Sequence, residues 1–68
     1  MQKLVYDKTK NTINLIDSKG DNVYMFNGVV SVDQDGNCFV VKKVIGNDPR
    51  PTIVMMVPVN NTNYIIER

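Results

Sequence analysis

Sixty-eight residues, 43% of them hydrophobic and 22% charged, suffice for one small soluble domain with a thin core, and a second domain is excluded. One cysteine, Cys38, and no histidine rule out an intrachain disulfide and a Cys/His zinc site. Eight Lys and Arg against seven Asp and Glu give a net charge of +1, without the cationic excess that non-specific nucleic-acid binders use to neutralise phosphates.

A chain this short buries only about 60% of its unfolded surface, so core burial and ordering entropy nearly cancel. With disulfide and zinc unavailable, efficient packing or self-association must supply the remainder. Alanine is absent, Glu67 is the sole glutamate, and Leu4 and Leu15 are the sole leucines, whereas valine and isoleucine abound. Strong helix formers are thus scarce and β-branched residues plentiful, which predicts an all-β chain. The wealth of Asn, Ile and Lys suits an AT-rich genome such as that of a phage or other mobile element.

The segment from Met1 to Lys10 has no apolar run of the kind a secretory signal needs, and no stretch of 18 apolar residues occurs, so a cytoplasmic location and no membrane contact are expected. The first predicted strand is Lys3 to Asp7, closed by the polar run Lys8 to Asn11. Thr12 to Asp17 is the second, and Gly20 supplies the positive φ for a turn into the third, Asn22 to Phe26. Asn27-Gly28 then predicts a type I′ hairpin, in which both central residues take positive φ; the alternative is a glycine kink that bends a strand around a corner. Val29 to Val32 follows, then the turn Asp33 to Asn37, then Cys38 to Ile45. Two prolines stiffen the loop from Gly46 to Pro51. Thr52 to Val59 is the most apolar segment, with Pro58 placing its end at an edge or a bulge, and Tyr64 to Glu67 closes the chain.

Turn signals spaced by roughly eight to twelve residues predict a single small β domain over residues 1–68. The expected fold is a small, mostly antiparallel barrel or sandwich of about six or seven short strands in a meander-like order.

Several patterns invite a chemical reading. Asp33, Asp35 and Asn37 alternate like the first ligands of an EF-hand, but Cys38 and Val44 occupy the positions where glycine and a bidentate glutamate belong, so an Asp-Gly turn accounts for them. Ser18, Ser31 and Cys38 lack a histidine base, which argues against nucleophilic catalysis, and the aspartates fall at turns, where they bond locally to the backbone. The chain is therefore expected to be non-catalytic, with no metal and no cofactor.

Ile53 to Val57 is apolar on both faces of a strand and so needs cover on both. Arg50, between two prolines, is a guanidinium on a pre-ordered loop that loses little entropy on binding. The expected role is an interaction module that self-associates, binds a protein partner, or does both, through Arg50, Ile53, Met55, Met56 and Tyr64. The alternative is a nucleic-acid or nucleotide-binding β-barrel, with Lys8, Lys10, Lys42 and Lys43 beside Tyr and Phe faces.

Overall fold

The computed structural model describes residues 1–67. Among these there is no α-helix, and seven strands are arranged in two sheets. The strands are β1 (Gln2–Asp7), β2 (Thr12–Ile16), β3 (Asn22–Phe26), β4 (Val29–Asp35), β5 (Cys38–Lys43), β6 (Thr52–Pro58) and β7 (Thr62–Glu67). The four-stranded sheet has the order β3-β2-β1-β7 and the three-stranded sheet the order β4-β5-β6. No ladder joins the two sheets, so they are not closed into a barrel.

Two meanders of three strands each account for most of this order, and their pairings are antiparallel. The departure is β7, which returns to lie parallel to β1, with Gln2 opposite Thr62 and Asp7 opposite Glu67. Parallel neighbours need a long connection. Here the connection consists of all the strands between.

Because residues directly opposite one another share a face, the registers fix what each face carries. Across the four-stranded sheet one row reads Tyr24, Leu15, Leu4, Tyr64 and the next Phe26, Ile13, Tyr6, Ile66. Leu4, Tyr6, Ile13 and Leu15 meet Val29, Phe39, Val41 and Val57 of the other sheet in one hydrophobic cluster. The ordinary period-two alternation of β1 and β2 therefore suffices to build half of the core.

Local chemistry closes the turns. The Asp7 carboxylate accepts hydrogen bonds from the Thr9 amide (3.0 Å), the Thr9 hydroxyl (2.6 Å) and the Lys10 amide (3.2 Å), while Asn11 takes φ 55° to re-enter the sheet. Asp17 does the same for the next turn, accepting from the amides of Lys19 and Asp21, both at 2.9 Å. Between β4 and β5 the central pair is Gly36-Asn37, with Asp35 opposite Cys38. Only the first of the two has positive φ (59°), the signature of a type II′ turn.

Asn27-Gly28 does not form the expected hairpin. β3 and β4 lie in different sheets, and although Gly28 has φ 72°, Asn27 does not share the left-handed conformation that a type I′ turn requires of both residues. The dipeptide is the glycine kink, a corner where the chain passes from one sheet to the other. The Val29 amide donates to the Asn11 carbonyl at 2.9 Å and so ties this corner to the β1–β2 turn.

Strand lengths also differ from the expectation. β4 runs on to Asp35 through its polar residues, β5 stops at Lys43, and β7 starts at Thr62 rather than Tyr64 because a single 3-10 turn, Val59–Asn61, replaces the expected longer loop. Thr62 is the buried polar residue at this second corner, where it accepts from the Gln2 side chain at 3.1 Å and donates to the Pro58 carbonyl at 2.5 Å.

The corner geometry has a measurable signature. A Cβ at Gly28 would meet nothing closer than the Lys43 Cε at 4.0 Å, so Gly28→Ala acts through φ alone and is expected to cost about 1 kcal/mol in urea unfolding. Asn27→Ala should change stability by less than about 0.5 kcal/mol, whereas equal losses at both positions would indicate a type I′ turn.

Candidate functional site

Six of the seven strands bury at least one residue; β3 buries none. Val23, Tyr24 and Met25 are all exposed, and Phe26 alone is partly covered. The cause is an unequal strand count. Tyr24 and Phe26 belong to the inner face by register, but the opposing sheet has only three strands, and Tyr24 remains 55% exposed. Between β3 and β6 this leaves an open cleft of about 300 Å³ lined by Tyr24, Phe26, Val54 and Met55.

The two-sided apolar strand at Ile53 to Val57 is β6, at the edge of the smaller sheet. Met55 opposite Val41 and Val57 opposite Phe39 face the core, while Met56 opposite Val40 is turned to the outer face. A bulge at Val54 shifts the register, so that Ile53 is opposite Lys42. Ile53 and Met56 are exposed, at 53% and 59%. Val40 itself is buried on that outer face, between Asp33 and Met56. The outer face of the smaller sheet is thus apolar along β6 and acidic along β4, where Asp33 and Asp35 alternate.

The residues singled out from the sequence separate into three places. Ile53 and Met56 share the exposed outer face. Met55 and Tyr64 pack against the core, the Tyr64 ring lying 5.0 Å from that of Phe39 at 45°. Arg50 stands on an exposed loop, its Nε 3.3 Å from the Asp48 carboxylate and its amide bonded to the same oxygen at 3.0 Å. Those two contacts, the amide first, hold the Asp48 carboxyl below its usual range.

Of the lysines, Lys8 and Lys10 lie in the β1–β2 turn, and Lys43 reaches over Gly28 beside it. Lys42 and Lys43 are consecutive in β5 and therefore point to opposite faces, so they do not form one basic patch. Asp33 and Asp35 lie along β4, Ser18 in the β2–β3 turn, Ser31 in β4, and Cys38, a free thiol, at the start of β5.

β3 was not distinguished in the sequence from the other strands. Its run Val23-Tyr24-Met25-Phe26 is apolar on both faces, as Ile53–Val57 is, and only the strand order reveals that it lacks a neighbour on one side. No helix among the described residues is long and apolar enough to cross a membrane.

Tyr64 gives a pH readout of the inner face. Burial raises its phenol pKa above the usual value near 10, with Tyr6 and Asp33 adding to the effect. A raised folded-state pKa favours the neutral phenol in the fold, so its contribution is intact below about pH 10 and is lost as the pH rises through the folded-state value. Wild type should therefore lose stability more steeply above about pH 10 than Tyr64→Phe, which keeps the ring on Phe39; parallel profiles would remove the assigned burial.

Comparison of the chain with protein-family models, with curated proteins and with solved structures gives no match.

Proposed function

We propose that this protein is a small non-catalytic interaction module in which two sheets, stacked as an open sandwich, present apolar strand surface to a second chain. The observation that carries the reading is the exposure of Val23, Tyr24 and Met25 on β3 together with Ile53 and Met56 on β6, the two strands that flank the cleft. Single exposed apolar residues are ordinary; here two edge strands each carry exposed apolar residues on the outer face of their own sheet, Met25 on one and Ile53 and Met56 on the other, with the cleft at Tyr24, Phe26, Val54 and Met55 between them.

Edge strands add a second attraction. Each carries backbone N–H and C=O groups with no partner on one side, and an added strand satisfies them while its side chains read the adjoining pockets. Arg50 on its loop, 87% exposed, stands as a polar contact outside this apolar surface. A covered surface also supplies the stabilisation that a chain of this size lacks from its own core.

Two measurements test the reading. Where a second copy covers the surface, the urea midpoint rises with protein concentration, because association stabilises the folded form by mass action. Where another protein covers it, immobilised wild type retains a specific protein that the double variant Val23→Lys, Met56→Lys does not. A midpoint independent of concentration together with identical retention by the two chains would falsify it.

A further inference from the structure

We infer that β7 pairs with β7 of a second copy of this chain, antiparallel about a two-fold axis at Ile65, to join two four-stranded sheets into one of eight. This edge is distinct from the β3 and β6 surface proposed above, and either can hold without the other.

The four sheet edges are not equally available. β3 has a bulge at Val23, β4 has a bulge near its start together with Asp33 and Asp35, and β6 lies between Pro51 and Pro58 with a bulge at Val54. Charges, prolines and bulges are the devices by which natural edges avoid pairing. β7 has neither proline nor bulge: its register on β1 runs unbroken from Thr62 to Glu67, and its one charge stands at the last residue.

The backbone of β7 fixes which groups the edge offers. The Lys8 amide donates to the Glu67 carbonyl at 3.1 Å, so the backbone groups of Glu67 turn toward β1. These directions alternate along a strand, so Asn63 and Ile65 also bond toward β1, while the N–H and C=O groups of Tyr64 and Ile66 point to the open edge.

The sequence of β7 is complementary to itself in a register that this backbone allows. Opposed residues of an antiparallel pair share a face, so a two-fold axis normal to the sheet centres on a residue. Centring on Ile65 sets Tyr64 opposite the partner's Ile66 and Ile66 opposite the partner's Tyr64, each pair exchanging both N–H···O=C bonds. Ile65 then meets the partner's Ile65 on the outer face as a close, non-hydrogen-bonded pair, and Asn63 meets the partner's Glu67. Centring on Tyr64 instead sets Asn63 against Ile65, and centring on Ile66 sets Glu67 against Ile65.

Charge and burial favour the same register. Within one chain Asp7 and Glu67 are like charges directly opposed on the outer face. Their row now continues into the partner's Asn63 and the partner's Lys3, because Lys3 and Asn63 are opposite one another in each chain. On the inner face Ile66, 45% exposed where the smaller sheet ends, gains the partner's Tyr64 as a neighbour.

Sedimentation equilibrium on the full chain tests this. The expected mass is twice the 7.7 kDa of one chain. Ile66→Pro removes an edge N–H and leaves the β1 ladder intact, and Ile65→Lys opposes two ammonium groups; each should reduce the mass to 7.7 kDa with far-ultraviolet spectra unchanged. The double variant Val23→Lys, Met56→Lys should keep the dimer. The register is read by cross-linking in a Cys38→Ser background. Ile65→Cys should oxidise to a disulfide-linked dimer, since the opposed Cα atoms of a non-hydrogen-bonded pair lie about 4.5 Å apart. Ile66→Cys should not, because its own copy is displaced by two residues and lies about 8 Å away. A wild-type mass of 7.7 kDa at every concentration overturns the pairing and leaves the β3 and β6 surface to its own retention test. A dimer lost in Val23→Lys, Met56→Lys but kept in Ile66→Pro overturns it in favour of that surface. Should Ile66→Pro or Ile65→Lys fail to fold, the cysteine pair decides, and linkage through Ile66→Cys without Ile65→Cys overturns the inference.

Discussion

The ladder between β1 and β7 joins the first strand of the fold to the last, and the rest of the architecture depends on it. Gln2 and Thr62 are 60 residues apart in the chain yet share both a register position and a side-chain hydrogen bond. Closing a loop of that length costs roughly 3 to 4 kcal/mol in chain entropy, and each further doubling only about 0.6. What offsets the closure is the position of β1, which pairs on both sides and places Leu4 and Tyr6 at the centre of the buried rows. Leu4 lies between Leu15 and Tyr64, and Tyr6 between Ile13 and Ile66. Without β7 the inner face would end at Leu4 and Tyr6, and the Tyr64 ring that covers Phe39 would be missing. A pairing of such separation is rewarded only after the entropy of closure has been lost.

A second constraint follows from the number of strands. Seven strands cannot be divided equally between two sheets, and the larger sheet therefore extends beyond its cover. The excess falls on the outermost positions of both inner rows, at Tyr24 on one side and Ile66 on the other, both exposed although they share a face with fully buried leucine and isoleucine. The two sides are not equivalent, because β7 still contacts Phe39 through Tyr64, whereas β3 reaches the core only through Phe26. The open cleft lies on the β3 side for that reason.

Much of this fold is legible in the sequence because strands of this kind are encoded locally. Alternation in Leu4–Tyr6 and Ile13–Leu15, glycine at the turns, and aspartate capping the backbone at Asp7 and Asp17 all act within a few residues. What failed was the inference from turn chemistry to pairing. Asn27-Gly28 has the composition of a hairpin turn, and a glycine with positive φ serves equally well at a corner; which of the two forms is decided by the partners of β3 and β4, and those lie elsewhere in the chain. The same limit hid the surface. Asn22–Phe26 and Ile53–Val57 are both apolar on two faces, but in β6 the pairing with Val41 and Phe39 assigns Met55 and Val57 to the core, and a bulge settles Ile53 on the other side. In β3 the equivalent decision depends on what lies beyond the edge.

Lack of stabilisation and surplus of surface are thus one property seen from two sides. A chain of this length has no disulfide or Cys/His zinc site to offset a thin core, and its core is thin because the smaller sheet leaves the inner face of β3 uncovered. Filling that space from within would need an eighth strand, and with it another turn and more ordering entropy, at roughly 1 to 2 kcal/mol per backbone residue. A strand already folded in another molecule brings the same apolar area with that entropy already lost, leaving only the cost of association. An uncharged, proline-free edge is a hazard in an isolated monomer, since it can template indefinite pairing. The bulge at Val23, which breaks the register of β3 on β2, limits that hazard at the start of the strand.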